Sequence, residues 1–117
     1  MIALQILISE EAKADMKELP FGAQILAAAH INKLKERKYG QQLEDKHGYD
    51  LTECYRIYFG DRSQYRIIWW ITEDGNCEIL EVLVIGEREG FKAYEDAHIR
   101  VQSRKQNRKS NELTRSD

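Results

Sequence analysis

The sequence predicts an α+β fold in the order β-α-α-β-β-β-α, and three observations carry that expectation. A short apolar stretch opens the chain and is followed by two helix-like segments parted by its single proline. The hydrophobic period changes from near 3.6 to 2 at Leu51. Two turn signals then divide the period-two region into three strands. Three strands joined by hairpins form an antiparallel meander. The N-terminal strand is expected at its edge and the helical pair on one face, a two-layer arrangement.

Residues 2–8, IALQILI, read as the first strand. Ser9 offers an N-cap, and Glu10 and Glu11 put negative charge into a first helical turn, where the helix dipole favours it. This helix is expected to reach about Leu19. Pro20 stops it and opens a second helix. The second helix is expected from Phe21 to about Lys38. Its inner stripe would be Phe21, Ile25, Ala28, Ala29, Ile31 and Leu34, with Gly40 as C-cap. Residues 41–50, QQLEDKHGYD, lack periodicity and read as a connection.

In TECYRIYF, Tyr55, Ile57 and Phe59 alternate against Cys54, Arg56 and Tyr58. GDRSQ is a turn, YRIIWWIT a strand, and EDGN a second turn with a strong Asp-Gly hairpin signal. Strict alternation along CEILEVLVIG places Ile79, Leu83 and Ile85 on one face and Leu80, Val82 and Val84 on the other. After the loop GEREGFKA a helix begins near Lys92, with Tyr94, Ala97, His98 and Val101 facing inward. Residues 1–101 form one domain in this reading. Residues 102–117 form a basic tail, flexible or a frayed helix, because Leu113 is its only large apolar residue after Val101.

The chain has 117 residues, with 42% hydrophobic and 32% charged, the mix of one globular domain. No apolar run approaches the ~20 residues of a spanning helix. The N-terminus lacks a basic region and a small-residue cleavage site. With two scattered cysteines, Cys54 and Cys77, and no Cys/His cluster, these features imply a cytoplasmic protein with free thiols, no metal, no cofactor and no membrane contact. The net charge of −2 argues against general nucleic-acid affinity. Only residues 101–117 are basic, with five basic and two acidic side chains.

The open face of the sheet is expected to carry arginines. Arg56 lies in the first meander strand and Arg66 opens the second; whether they oppose one another depends on the hairpin's register. Arg88 follows the third strand and Tyr94 comes six residues later. With Tyr58 these could form a concave cluster of guanidiniums and phenols. Such a set suits phosphodiester cleavage in RNA. Guanidinium forks match phosphate oxygens and stay charged, and fixed charge stabilises a phosphorane-like transition state without a metal. Each residue also has a plainer role: arginines on an open sheet face are commonly solvated, and Tyr94 sits on an inward helix face. Trp69 and Trp70 occupy opposite faces of one strand. One belongs in the core; the other either stacks a base or lies under a loop or partner.

The run CYRIYF, YRIIWWI, VLVIGERE and KAYEDAHIRV, spanning Cys54–Val101, resembles the C-terminal half of RelE-type toxins of the RelE/ParE toxin–antitoxin superfamily. The resemblance implies a ribosome-dependent mRNA endoribonuclease that acts in the ribosomal A site and is held inactive by a cognate antitoxin protein. It assigns Arg56, Arg66, Arg88 and Tyr94 as catalytic. Arg56 would contact the scissile phosphate or help activate the 2′-hydroxyl, Arg66 and Arg88 would stabilise the transition state and leaving group, and Tyr94 would orient or deprotonate the nucleophile. Tyr58, Arg62, Lys92, Arg104 and Lys105 are the accompanying substrate-binding candidates. The chain departs from the family in having Tyr58 where a second basic residue is usual, and in its acidic balance. A ParE-like gyrase inhibitor and a non-catalytic interaction module share the expected fold and are the alternatives.

Overall fold

The computed structural model describes residues 3–36, 39–44, 48–74, 77–87, 90 and 92–115. The elements are β1 (Ala3–Ile8), α1 (Glu10–Lys17), α2 (Phe21–Asn32), β2 (Gln41–Gln42), β3 (Cys54–Phe59), β4 (Tyr65–Asp74), β5 (Cys77–Glu87) and α3 (Lys92–Arg115). One five-stranded sheet has the order β1-β5-β4-β3-β2. The fold is α+β, with the N-terminal strand, two helices, strand meander and C-terminal helix in the expected order. β1 joins the meander's β5 edge and runs parallel to it, from Ala3 opposite Cys77 to Ile8 opposite Val82.

Ser9 caps α1 as its residue type dictates, accepting from the Ala12 amide at 3.0 Å. The expected α2 stripe holds at Ile31 and Leu34 but not at Phe21 and Ile25. Ala23, Ala27, Ile31 and, just past the helix, Leu34 are buried, while Phe21 is 76% and Ile25 55% exposed. Small alanines let the helix axis approach the sheet closely, and that leaves the bulky side chains outside. The helix also ends at Asn32 rather than near Lys38. The chain continues in tight i→i+3 turns, Leu34 N to Ile31 O at 3.0 Å and Glu36 N to Lys33 O at 3.1 Å, which carry Leu34 into the core.

Residues 41 and 42, expected as connection, add strand β2. Gln41 pairs with Arg56 and Gln42 with Tyr55. Gly40 serves close approach here, not a helix cap: a Cβ on it would lie 2.8 Å from the Trp69 ring and 3.1 Å from the Arg56 carbonyl oxygen.

Strand β5 carries a bulge. Ile68 pairs with Val84 but Trp69 with Val82, so Leu83 is extra. The bulge breaks the expected alternation: Leu80, Val82 and Ile85 pack with the helical hairpin, while Leu83 and Val84 share the opposite face. The Leu83 carbonyl, freed from the ladder, accepts from Arg100 Nη1 at 2.7 Å.

Two apolar clusters result. Ile67, Trp69 and Leu80 lie between the sheet and α1/α2. Cys54, Ile68, Trp70, Leu83 and Val84 lie beneath α3 with Ala93, Tyr94, Ala97 and Val101. The second face is therefore covered by α3, a third layer that the two-layer expectation lacked. Full burial of a side chain such as Ile67 contributes about 1.5–3 kcal/mol. Trp70 is not a stacking platform: it is 4% exposed and its Nε1 donates to Glu81 Oε1 at 2.8 Å. The α3 helix continues past Val101 through Arg115. Ion pairs hold its middle turns: Arg100 to Asp15 at 2.8 Å, Arg104 to Glu81 at 2.8 Å and Lys105 to Glu53 at 2.7 Å. Among the described residues, no helix is long and apolar enough to cross a membrane.

Candidate functional site

The β3–β4 register settles how the arginines stand. Arg66 lies opposite Tyr58, and Arg56 opposite Ile68. The two guanidiniums are thus diagonal on one face rather than directly opposed, which lessens the cost of like charges across a strand pair. Cys54, Arg56 and Tyr58 point to the α3 side because Tyr55, Ile57 and Phe59 take the helical-hairpin side. The period-two sequence thus fixes the face.

Tyr94, in the first turn of α3, lies between the arginines. Arg56 Nη1 donates to Tyr94 Oη at 2.6 Å, and the Arg66 Cζ lies 4.6 Å from the centroid of the Tyr94 ring. Arg56 in turn stacks on Tyr58, with Cζ 4.5 Å from that ring's centroid. Both contacts have cation–π geometry. The Tyr58 ring thus supports the Arg56 guanidinium. Gln41 Oε1 accepts from Arg56 Nη2 at 2.8 Å. Sequence reasoning missed Gln41, because its two-residue strand has no periodicity to reveal it.

The cluster is deeply set: Arg66 is 1%, Arg56 8% and Tyr94 7% exposed. A buried guanidinium is tolerated only where polar or aromatic groups replace water. Arg56 finds a phenol oxygen, an amide oxygen and an aromatic face, and among the described residues no carboxylate pairs with it. Tyr94 is thus both a core residue and a member of the site.

The remaining candidates divide. Arg62 is exposed in the β3–β4 connection, with a left-handed backbone at φ 55°, at the strand ends nearest Tyr58 and Arg66. Lys92 is exposed two residues before Tyr94 and pairs with Asp96 at 3.2 Å. Arg88 lies outside the described residues. Arg104 and Lys105 have their charges engaged within the fold. Arg104 Nε reaches both oxygens of Glu81 at 2.8 and 2.9 Å while its Nη2 meets Glu11 at 3.1 Å, and Lys105 meets Glu53. Those bonds to Glu11 and Glu81 outweigh the burial that would lower the Arg104 pKa, and raise it instead. The hydrogen bond from Arg104 leads the causes that hold Glu11 below its usual range.

A cavity of about 290 Å³ lies beside the cluster, between α1, the end of β5 and the start of α3. Asp15, Glu18, Glu87, Lys92 and Asp96 line it, and Arg100 pairs with Asp15 at 2.8 Å beside it. Among the described residues, no His, Cys, Asp and Glu grouping could hold a metal ion.

Comparison with solved structures identifies this architecture. The chain is similar to a mutant of the E. coli toxin RelE in the free state, with a TM-score of 0.63 and 18% identity over 86% of this chain and 99% of that one. It is similar to the isolated E. coli RelE toxin at a TM-score of 0.52, with 17% identity over the same shares. It also resembles a RelE mutant bound to a peptide of the antitoxin RelB, with a TM-score of 0.54 and 16% identity over 83% of this chain and 95% of that one. The chain therefore has the fold of the RelE toxins. No family model and no curated protein sequence matches it.

Proposed function

We propose that this chain is the toxin of a toxin–antitoxin pair and a metal-independent mRNA endoribonuclease acting in the ribosomal A site. The observation that carries the reading is the convergence of Arg56, Arg66 and Tyr94 on one sheet face, with two guanidiniums held at a single phenol. In the reaction the 2′-oxygen of a ribose loses its proton and bonds to phosphorus. The bond from phosphorus to the 5′-oxygen breaks, the 5′-oxygen takes up a proton, and a 2′,3′-cyclic phosphate and a 5′-hydroxyl remain. Arg56 and Arg66 match the charge gathered on the phosphorane, and Tyr94 orients or deprotonates the 2′-hydroxyl. Arg88 is proposed beside the leaving group. Tyr58, Arg62 and Lys92 are proposed to form the RNA-facing rim.

An antitoxin partner is proposed on the strength of the fold and of one surface. The α2 helix exposes Phe21, Ile25 and Leu26, and a cavity of about 440 Å³ lined by Ile6, Ile8, Met16 and Ile31 runs beside it. Exposed apolar side chains of this size support a surface that another chain covers. The cytoplasm, where ribosomes and antitoxin meet, is the compartment this reading implies.

Induced expression with primer extension tests the nuclease. One message is carried in a translated and an untranslated copy. Cuts confined to the translated copy, abolished by Arg88→Ala, are the expected result. Intact message accompanied by DNA-damage signalling would overturn it in favour of gyrase inhibition. Absence of any growth effect would leave an interaction module.

A further inference from the structure

We infer that Gln41 is a positioning residue for the Arg56–Tyr94 pair, an inference that rests on the nuclease reading. Gln41 Oε1 accepts from one terminal nitrogen of Arg56 at 2.8 Å while the other donates to Tyr94 Oη at 2.6 Å. A guanidinium is a planar, rigid fork, so fixing Nη2 sets the direction of Nη1. Only the oxygen of an amide can accept from a guanidinium, so the partner's chemistry determines the orientation of the Gln41 side chain.

The tether's own backbone is pinned. Gln41 is the cross-strand partner of Arg56, Gln42 Nε2 donates to the Thr52 carbonyl at 2.9 Å, and the Leu43 amide donates to the Cys54 carbonyl at 2.9 Å. Leu43 is buried at 2% exposure and anchors the far side of the strand. Gly40 lets this segment pass against Trp69 and the Arg56 carbonyl. The segment whose sequence looks like a plain connection is thus built to deliver one acceptor to one arginine.

The choice of amide has a second consequence. A carboxylate at this place would give the same geometry but would cancel the charge of Arg56. A neutral acceptor aims the guanidinium and leaves its positive charge for an anion. Because Gln41 is exposed and β2 is two residues long, its side chain can be altered with little cost to the fold.

The test uses the full chain with Gln41→Ala and Gln41→Glu. Cleavage is measured at single turnover on ribosomes programmed with a labelled message, and the Arg56 guanidinium is followed by ¹⁵N NMR. Q41A is expected to lower the cleavage rate constant by about 10- to 100-fold, the scale of a small misplacement in a catalytic group, with half-saturation and Tm little changed. Q41E is expected to keep the guanidinium held but to weaken binding of the anionic message, with a shallower salt dependence. In the spectra, hindered rotation of the Arg56 guanidinium is expected in the parent and Q41E and lost in Q41A. Parent-like rate constants in both variants, or an Arg56 signal indifferent to Q41A, would overturn the inference. A parent chain that cuts no message overturns the nuclease reading instead, while the NMR comparison still decides whether Gln41 holds the arginine.

Discussion

The Arg56 guanidinium and the Tyr94 hydroxyl meet at 2.6 Å, joining a sheet residue to a helix residue 38 positions later in the chain. The bond brings the first turn of α3 down upon β3 and makes the site and the helix–sheet packing one structure. Tyr94→Phe separates the two roles, because it removes the oxygen and keeps the ring beneath Arg66. A hydrogen bond to a charged group is worth about 1.5–3 kcal/mol, so the variant should remain folded but melt earlier. Cleavage on programmed ribosomes should fall by about 10²- to 10⁴-fold, the usual contribution of a positioned acid–base group. Unchanged cleavage would reduce Tyr94 to a core residue.

Gly40→Ala should damage the site from a distance. The added methyl would meet the Trp69 ring at 2.8 Å and the Arg56 carbonyl oxygen at 3.1 Å, and neither is the flexible end of a side chain. Overpacking of this kind typically costs about 1–3 kcal/mol. The strain falls between β2 and β3, so we expect a lower urea midpoint, altered tryptophan fluorescence and slower cleavage together. Loss of stability with parent-like cleavage would show that β2 does not bear on the site.

How far the sequence foretold this structure depends on what each segment encodes. Periodicity of two marked β3, β4 and β5, and with it the shared face of Arg56 and Arg66. It could not supply the register, which rests on the turn at Gly60–Gln64, nor the extra residue at Leu83, since a bulge leaves the apolar composition unchanged. The α2 stripe held at Ile31 and Leu34 and failed at Phe21 and Ile25 for a related reason. Its residues are apolar on most sides, and packing distance, not periodicity, chose the alanine face. β2 was illegible because two glutamines have no pattern. Arg104 and Lys105 looked like a loose basic tail because their carboxylate partners lie at Glu11, Glu53 and Glu81, far away in sequence.

The two thiols should differ sharply in reactivity. Burial, aided by the nearby charge of Glu53, pushes the Cys54 thiol up to about 12. At pH 8 its thiolate fraction is then about 10⁻⁴, and the thiolate is the reacting species. Cys77 is half-buried near the edge of the sheet, beside β1. Iodoacetamide should therefore label Cys77 first, with Cys54 labelled only when urea opens the core. Peptide mapping by mass spectrometry checks this, and equal labelling of both in the folded protein would contradict the packing beneath α3.

The hold of α3 on the body of the protein should weaken in acid. Arg104 is shared between Glu81 and Glu11, and the guanidinium remains charged across the accessible pH range. The acid limb therefore follows the carboxylates. Hydrogen bonding from Arg104 is the leading reason that Glu11 sits below its ordinary value of 4.5 in the folded chain. A carboxylate depressed by folding adds stability that is complete above its unfolded value and is lost as the pH falls through the folded one. Arg104→Gln should thus cost about 1–3 kcal/mol at pH 7, most of it through the shielded Glu81 contact, since Glu11 is half-exposed and its share is screened. The gap between parent and variant should narrow as the pH falls below 4.5 and Glu11 protonates. Asp50, also held low by Thr52, contributes to the acid limb of both proteins alike and cancels from the difference. Urea midpoints of the two proteins at pH 7 and pH 3 measure the effect. A gap that does not depend on pH would mean that Arg104 stabilises α3 through its aliphatic stem rather than its charge.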